Sequence, residues 1–501
     1  MRRLAGCLLV LALSGCGSTV QVRGSAQIGD GLSPLDGSTE QNGALTAPQG
    51  TTGTQGSVGS APGSSTAPTT AGGSSAGSVG STSATSVPGA GSSATGALTP
   101  AVLKVGLQYS SNASATLTAV GSSGGSSGAD PKAVDGAVIA YINAHGGAGG
   151  RKVVPVYNDV DATASPSAES EQACVSWTQD DHVSVALPTS AVEDNNNLRA
   201  CMGKAGVPVM YGNVFSTTPA AAFAKSPLWL ENISASVESY ARSYVAGLAE
   251  QGYFRGGKVG VVYNDSAAFK AALNSALLPA LKAAGVPAPE TYAADISGAS
   301  DLGAGSSQMS NAVLSFRSKG VTKVMFFEPW AGYFAFLNAA QSQGYKPQYG
   351  LSSQEAPEVA LSLGLISPAQ LHGAKLVSWW PLADAHDYAG YMGPRQALCL
   401  QIFKRAGVSV VSDRTGFGTE LNTCENLLLT ADAYRSAPRT LHGIDFTHGL
   451  EAIGNAAQFA TKPHGGFTPQ RHWGATTYYY GSFDDNSGAF VLQRGGHPMR
   501  P

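Results

Sequence analysis

Charged side chains are scarce in this sequence, and neither sign is in clear excess. Only 13% of its 501 residues are Asp, Glu, Lys or Arg, and 30 basic residues nearly balance 33 acidic ones. A nucleic-acid-binding surface needs a clustered surplus of Lys and Arg, and the chain has no such stripe. We therefore expect no nucleic acid partner.

Sequence motifs for metal, redox and hydrolytic chemistry are missing or weak. The nine His show no H-E-x-x-H spacing, and the six Cys form no C-x-x-C pair. Residues 121–125 formally match G-x-S-x-G, but they lie in a Gly/Ser-rich loop without the strand–turn–helix context of a nucleophile elbow. We predict no enzymatic activity, no catalytic residue, no metal site and no cofactor.

No segment is long and apolar enough for a membrane-spanning helix. The apolar run Leu4–Leu13 has about ten residues, whereas a span needs ~20. It follows Met1-Arg2-Arg3 and ends at Leu13-Ser14-Gly15-Cys16. Residues 1–15 thus read as a signal peptide, and their end resembles the lipobox of bacterial lipoproteins, which implies acylation of Cys16 with diacylglyceryl and palmitate chains. The alternative is an ordinary secretory signal with an incidental Cys16.

Residues 16–101 are rich in Gly, Ser, Thr, Ala and Pro and nearly devoid of large apolar side chains. Such a segment cannot bury enough apolar surface to offset its ordering entropy. We predict a disordered tether with a root-mean-square span of roughly 50 Å. It would hold a folded head away from the outer face of the cell membrane, within the cell envelope.

Four further cysteines favour disulfide bonds, since the protein is predicted to be exported. Three pairings are possible. Proximity in sequence favours Cys174–Cys201 and Cys399–Cys424. The alternative is four buried thiols.

From Val102 onward, strand-like segments alternate with amphipathic helices in two similar series. Asp130-Pro131 is typical of a helix start and Gly146-Gly147 of a helix end. This order predicts an α/β fold with two doubly wound parallel-sheet lobes and a terminal hairpin. The predicted strands cover 104–109, 153–157, 183–187, 207–211, 258–263, 324–327, 376–380, 476–480 and 489–492, and the main later helices cover 194–205, 239–250, 268–284, 310–319, 333–343, 394–406, 422–435 and 448–459.

The run Ile142–Val153, Ile-Asn-Ala-His-Gly-Gly-Ala-Gly-Gly-Arg-Lys-Val, resembles the "IN-x-x-GG-x-x-GRK" signature of the leucine/isoleucine/valine-binding proteins of ABC transporters. Tyr157-Asn158-Asp159 and Val261–Ser266 resemble further strand ends of that family. The resemblance implies a type I periplasmic binding protein whose ligand lies in a cleft between the lobes. It implies three crossings of the chain, which we place near 230, 381 and 466. The first lobe would comprise 102–230 and 382–465, and the second 231–381 and 466–501.

Candidate ligand-binding residues follow the strand ends of the first lobe. They are Tyr109 and Ser110, Thr189 and Ser190, and Asn213. In the family the corresponding turn offers a Ser and backbone N–H groups to a ligand carboxylate, so the resemblance implies this role for Thr189 and Ser190; the alternative is that they only cap a turn. Branched-chain amino acid binders tend to have Ala-x-Thr where this chain has Asn213-Val214-Phe215, and this departure argues against a free α-amino acid as ligand.

The second lobe contributes Phe269, Glu328, Trp330, Glu355 and Trp380 as candidate ligand-binding residues. Phe269 stands where the family tends to have a Tyr. Glu328 would accept hydrogen bonds from an ammonium or amide group, and Trp330 would cover an apolar or cationic group. Glu355 is either a contact to a ligand amine or a solvated loop charge. Of Trp379 and Trp380, we expect one in the core and one in the cleft.

Three functions compete at this point. The first is a receptor that captures a small solute, such as an amino acid, an amide or an aromatic or amphipathic compound, for the membrane subunits of an ABC importer. The second is a sensory or interaction lipoprotein with the same fold and no transport role. The third, an extracellular hydrolase, has little support in the residues.

Overall fold

The computed structural model describes residues 102–112, 128–161, 165–188, 196–213, 215, 218–296, 302–328, 331–387, 391–410, 414–437 and 442–501. The predicted signal peptide, Cys16 and the tether lie outside these ranges.

A parallel sheet forms the first lobe. Its strand order is β2-β1-β3-β4-β5, and all its pairs are parallel. β1 and β2 pair along their whole length, from Val102 opposite Lys152 to Tyr109 opposite Asp159. The strands are β1 (Val102–Tyr109), β2 (Lys152–Asp159), β3 (Val185–Leu187), β4 (Val209–Tyr211) and β5 (Trp229–Glu231).

A larger mixed sheet forms the second lobe. Its order is β12-β11-β10-β9-β8-β6-β7, with β13 paired to β11. The neighbouring strands β10-β9-β8-β6-β7 are all parallel. β11 and β12 form an antiparallel hairpin at one edge of the sheet. The strands are β6 (Lys258–Asn264), β7 (Glu290–Ala294), β8 (Val321–Phe327), β9 (Gln348–Ser352), β10 (Lys375–Ser378), β11 (Thr477–Asp484), β12 (Ala489–Leu492) and β13 (His497–Pro498).

Helices cover the faces of these sheets. π-helical turns follow α2 at Ser176–Asp180 and join α6 to α7 at Leu273–Leu277. The helices are α1 (Pro131–Ala144), α2 (Pro166–Val175), α3 (Asn196–Ala205), α4 (Ala220–Lys225), α5 (Val237–Glu250), α6 (Ala267–Ala272), α7 (Leu278–Ala283), α8 (Leu302–Ser318), α9 (Ala331–Ser342), α10 (Pro357–Ser362), α11 (Pro381–Asp384), α12 (Gln396–Ala406), α13 (Arg414–Ser436) and α14 (Gly443–Ile453).

Distant parts of the chain share the core of the first lobe. Leu103 and Val105 of β1 belong to the same buried cluster as Phe403 of α12, Leu428 of α13 and Phe467. On the opposite face of the sheet, Trp177 packs against β1, where a Cβ on Gly106 would lie 2.8 Å from the indole nitrogen. One face of the first sheet is therefore covered in part by helices that follow β10 in sequence.

These features confirm the predicted α/β fold with parallel-sheet lobes. They also explain the glycine-rich signature after α1. The Asn143 side chain bonds both the N–H and the carbonyl of Val153, at 2.7 and 2.9 Å, and so fixes the turn into β2. Gly147 has a φ of +69°, and a Cβ there would come within 2.0 Å of the Arg151 carbonyl oxygen.

Several predicted boundaries are corrected by the structure. β10 ends at Ser378, so Trp380 lies beyond the strand that was predicted to contain it. α8 begins at Leu302 rather than 310, and α14 covers Gly443–Ile453 rather than 448–459. The sequence analysis missed β5, β7 and β9, because these strands are short or alternate polar residues with partly buried ones.

Both predicted disulfide pairings are confirmed. Cys174 bonds Cys201 and Cys399 bonds Cys424, with Cα atoms 6.1 and 6.0 Å apart. The first bond joins α2 to α3, and the second joins α12 to α13. Among the described helices, none combines the length and the apolar composition that a membrane crossing requires.

Candidate functional site

A cavity of about 250 Å³ lies at the carboxyl ends of β1 and β3. The order β2-β1-β3 reverses direction between these two strands, and ligands of open α/β sheets bind outside the strand ends at such a switch point. The cavity is lined by Leu107, Gln108, Tyr109, Ser110, Pro131, Asp135, Leu187, Thr419, Thr423 and Asn426. It therefore joins two strand ends, the start of α1 and one face of α13.

A second cavity, of about 310 Å³, lies at the start of β4, where α3 faces residues 225–229. Its lining includes Arg199, Lys204, Lys225 and Trp229. This is the amino-terminal edge of the sheet, opposite to the edge where strand-end loops converge. We therefore take the smaller cavity, at the switch point, as the candidate site.

Two buried polar side chains mark the wall of the switch-point cavity. Asp135 is 4% exposed, and burial together with the charge of Asp130 raises the pKa of its carboxyl to about 7. Asn426 is 1% exposed, and neither atom of its amide has a hydrogen-bond partner among the described residues. An unpaired buried amide costs free energy, and a hydrogen-bonding partner would remove that cost.

Tyr109 and Ser110 line the cavity as the strand end predicts. Lys132 Nζ lies 3.9 Å from the centroid of the Tyr109 ring, and the Tyr157 ring meets the same ring edge-on at 6.1 Å. The Ser110 hydroxyl donates to Asn112 Oδ1 at 2.8 Å. The Tyr109 ring is thus held in place by contacts on its face and edge.

The second lobe presents a buried acidic group where β9 ends. Glu355 is completely buried, and its Oε2 accepts hydrogen bonds from the Ser352 N–H at 2.5 Å and hydroxyl at 2.7 Å. Burial raises the pKa of the Glu355 carboxyl well above its ordinary value, against the opposing effect of the two bonds. Glu355 is therefore not a solvated loop charge, and its contact with a ligand stays a prediction.

Glu328 and Phe269 are both completely buried at neighbouring strand ends. Glu328 follows β8, and a Cβ on Gly332 would come within 2.1 Å of its Oε2, so the carboxylate lies against the start of α9. The Phe269 ring packs edge-on against Phe327, with centroids 4.9 Å apart. Phe269 belongs to the packed core of the second lobe, and its role as a ligand contact stays a prediction.

Trp379 and Trp380 differ in burial. Trp379 is 1% exposed and packs in the core, against Tyr240, whereas Trp380 is half-buried and packs against the core of the first lobe. Both backbone N–H groups donate to the Ser353 hydroxyl, at 2.9 and 3.1 Å. Trp380 therefore lies where the two lobes meet.

The remaining candidates divide between described and undescribed residues. Asn213 is buried, and its Oδ1 accepts the Phe215 N–H at 2.8 Å, so its oxygen serves the local turn. Thr189, Ser190 and Trp330 lie outside the described residues.

A buried network joins the chain segments that leave the first lobe. Glu425 on α13 accepts from Asn232 Nδ2 at 2.9 Å and from the N–H groups of Ala460 and Thr461 at 2.7 and 2.8 Å. Lys462 Nζ lies 3.5 Å from Glu425 and donates to the Asn232 carbonyl at 2.6 Å. The segments around 232 and 462 are thus tied to one helix of the first lobe.

Sequence reasoning missed Asp135, Asn426 and Glu425. Asp135 shares the buried face of α1 with Val138, Ile139 and Ile142. A carboxylate on an apolar face was the available signal. Asn426 lies next to a Leu run and gave a similar, weaker signal. Among the described residues, no group of three His, Cys, Asp or Glu side chains is arranged to hold a metal ion.

Comparison with known proteins supports the described fold. A family described as periplasmic binding protein matches residues 114–419. No curated protein matches the chain.

Several solved structures share the fold. A substrate-binding protein of an ABC transporter from Aeropyrum pernix is 15% identical, with a TM-score of 0.60 over 80% of this chain and 96% of that one. A solute-binding protein from R. palustris in complex with 4-hydroxybenzoate is 14% identical, with a TM-score of 0.57 over 80% and 98%. One from Desulfitobacterium hafniense in complex with Leu is 15% identical, with a TM-score of 0.52 over 78% and 100%. At these identities the likeness concerns the fold.

Proposed function

The chain belongs to the periplasmic binding protein family, in its type I form, and from this premise we propose that it is the substrate-binding lipoprotein of an ABC importer. It captures a small solute between its lobes and delivers it to the membrane subunits of the transporter. Solved structures with this fold include substrate-binding proteins of ABC transporters in complex with Leu or with aromatic acids. These proteins are binding proteins rather than enzymes.

The observation that carries the proposal is the repeated strand order of the two lobes. β2-β1-β3 in the first lobe and β7-β6-β8 in the second reverse direction at equivalent positions. Polar or aromatic side chains stand at both reversals, Tyr109 and Asp135 at the first and Glu328 at the second. A solute held at both switch points would draw the lobes together about the crossings, which we place near 230, 381 and 466.

The proposed ligand contacts follow from this arrangement. They are Tyr109, Ser110, Thr189, Ser190 and Asn213 from the first lobe, and Phe269, Glu328, Trp330, Glu355 and Trp380 from the second. The lobes would comprise 102–230 with 382–465 and 231–381 with 466–501.

The membrane attachment is proposed on sequence grounds. Cleavage after residue 15 leaves Cys16 as the first residue, and two or more acyl chains suffice for stable anchoring where one is marginal. Mass spectrometry of the mature N-terminus checks this step. We expect an acylated Cys16, and an unmodified mature N-terminus would contradict the anchor.

A thermal-shift panel tests the binding function. The purified mature chain is heated with amino acids, amides, aromatic acids and polyamines, and a ligand at 100 times its Kd adds ~2.7 kcal/mol to the free energy of unfolding. We expect at least one class to raise the Tm and Tyr109→Ala to weaken its binding. Tyr141→Ala, outside the cavity lining, is the matched control. A broad panel that leaves the Tm unchanged counts against solute capture.

A further inference from the structure

Two backbone donors beside the start of α1 are already used by carboxylates of the protein. Asp130 caps α1 by accepting the Lys132 N–H at 3.1 Å, and the first helical residue, Pro131, has no N–H to offer. Glu420 accepts the Ala129 N–H at 2.7 Å. A ligand carboxylate binds best to free N–H groups at a helix N-terminus, and at the start of α1 internal carboxylates occupy these two donors.

The charge around the cavity is unfavourable for an anion. Its described lining contains the buried Asp135 and neither Lys nor Arg. Lys132 lies over the Tyr109 ring and interacts electrostatically with Asp159 and Asp130, so its charge is already balanced.

The Asn426 amide, by contrast, favours an uncharged group with both a donor and an acceptor. Its oxygen and nitrogen are both buried at the cavity wall without partners among the described residues. One acceptor and one donor side by side match a group that also offers one of each.

From these observations we propose that the wall of the ligand site formed by β1, α1 and α13 takes an uncharged donor–acceptor group, such as a primary carboxamide, and rejects a carboxylate. The inference rests on the proposed solute-binding function and narrows its ligand class. A carboxamide forms a reciprocal pair with Asn426. A carboxylate at the same place would be desolvated beside Asp135 without a compensating positive charge.

Matched acid–amide pairs test the inference. Binding to the mature chain is measured by calorimetry at pH 8.0 for benzoate and benzamide, 4-hydroxybenzoate and 4-hydroxybenzamide, and leucine and leucinamide. We expect at least one amide to bind about tenfold or more tightly than its acid. Tighter binding of the acid in every pair that binds overturns the inference and leaves the proposed function intact. If no member of these pairs and no compound of the wider panel binds, both fail.

Two variants assign the preference to named groups. Asn426→Leu, similar in volume, is expected to weaken amide binding about tenfold, whereas Asn274→Leu, at an exposed asparagine of the second lobe, is not. Asp135→Asn is expected to narrow the difference in Kd between acid and amide, because it removes the negative charge. Unchanged ratios in a folded Asp135→Asn protein would overturn the electrostatic part, and unchanged amide affinity in folded Asn426→Leu would overturn the pairing.

Discussion

Asp135 lines the candidate site at a cost in stability. It is a buried carboxyl group on the apolar face of α1, and its neighbours Asp130 and Tyr157 bring no positive charge. A protein gains nothing in folding from such a group when an apolar side chain would pack there. Its retention is consistent with a role toward a bound molecule.

The raised pKa of Asp135 predicts a pH-dependent stability. The folded-state pKa is about 7, against an ordinary value of 3.8. Between these pH values Asp135 holds a proton in the folded state and loses it in the unfolded state. The free energy of unfolding therefore falls as the pH rises from about 4 to about 7. Asp135→Asn should match the parent near pH 4 and exceed it by roughly 1–3 kcal/mol at pH 8.

Urea denaturation at both pH values measures this difference. Asp180→Asn, at an exposed position, serves as the control and should change stability little at either pH. Equal stability of Asp135→Asn and the parent across the range would contradict the assigned pKa.

Residue positions in the site were only partly predictable. Tyr109 and Ser110 follow a recognisable strand, so their place at the cavity was visible in the sequence. Asp135 and Asn426 line one cavity because α13 packs against α1, although the two residues are nearly 300 positions apart in sequence. Local pattern carries no information about such a pairing.

At the scale of elements, long periodic segments were predictable and short ones were not. α1 begins at its expected cap, with the Asp130 side chain accepting the Lys132 N–H. β5 and β9 have three and five residues and depend on pairing with neighbours rather than on an alternating pattern. The π-turn at Leu273–Leu277 could not be predicted from the sequence either, because its residues favour an ordinary helix equally well.

The two disulfides offer a comparison between elements. Their sequence separations are 27 and 25 residues, so the loop-closure model gives each a similar contribution of about 2–4 kcal/mol. Of these four cysteines, only Cys424 adjoins lining residues of the switch-point cavity, Thr423 and Asn426. We expect Cys399→Ala/Cys424→Ala to lower both stability and affinity for the best-binding compound of the panel.

Cys174→Ala/Cys201→Ala is the matched control for this prediction. It should lower stability by a similar amount and leave affinity nearly unchanged, as measured by denaturation and calorimetry. Equal losses of affinity in both double variants would show that the bond at α13 does not act through the cavity.

At the scale of the molecule, the buried pair Lys462–Glu425 ties the segments around 232 and 462 to α13. Their side chains are 2% and 0% exposed. Burial lowers the pKa of Lys462, while the charge of Glu425 opposes that effect. Lys462→Met would leave Glu425 buried without its counter-charge, which costs about 3–5 kcal/mol.

Lys258→Met is the control for that substitution, because Lys258 pairs with Glu290 at the surface, 2.8 Å away. Exposed pairs contribute about 0–1 kcal/mol. Chemical denaturation should separate the two variants clearly, and a Lys462→Met protein as stable as Lys258→Met would refute the structural importance of the buried pair.

The shared core of Leu103, Phe403 and Phe467 constrains how the molecule comes into being. During synthesis β1 is made long before the helices α12 and α13 that pack on its sheet. Strands β6 to β10 of the second sheet are made in between. The lobe that starts first therefore finishes late. Until synthesis has passed residue 467, the part of this apolar face that α1 does not cover has no packing partner, so we expect the first lobe to complete its core only after β6 to β10 have been made.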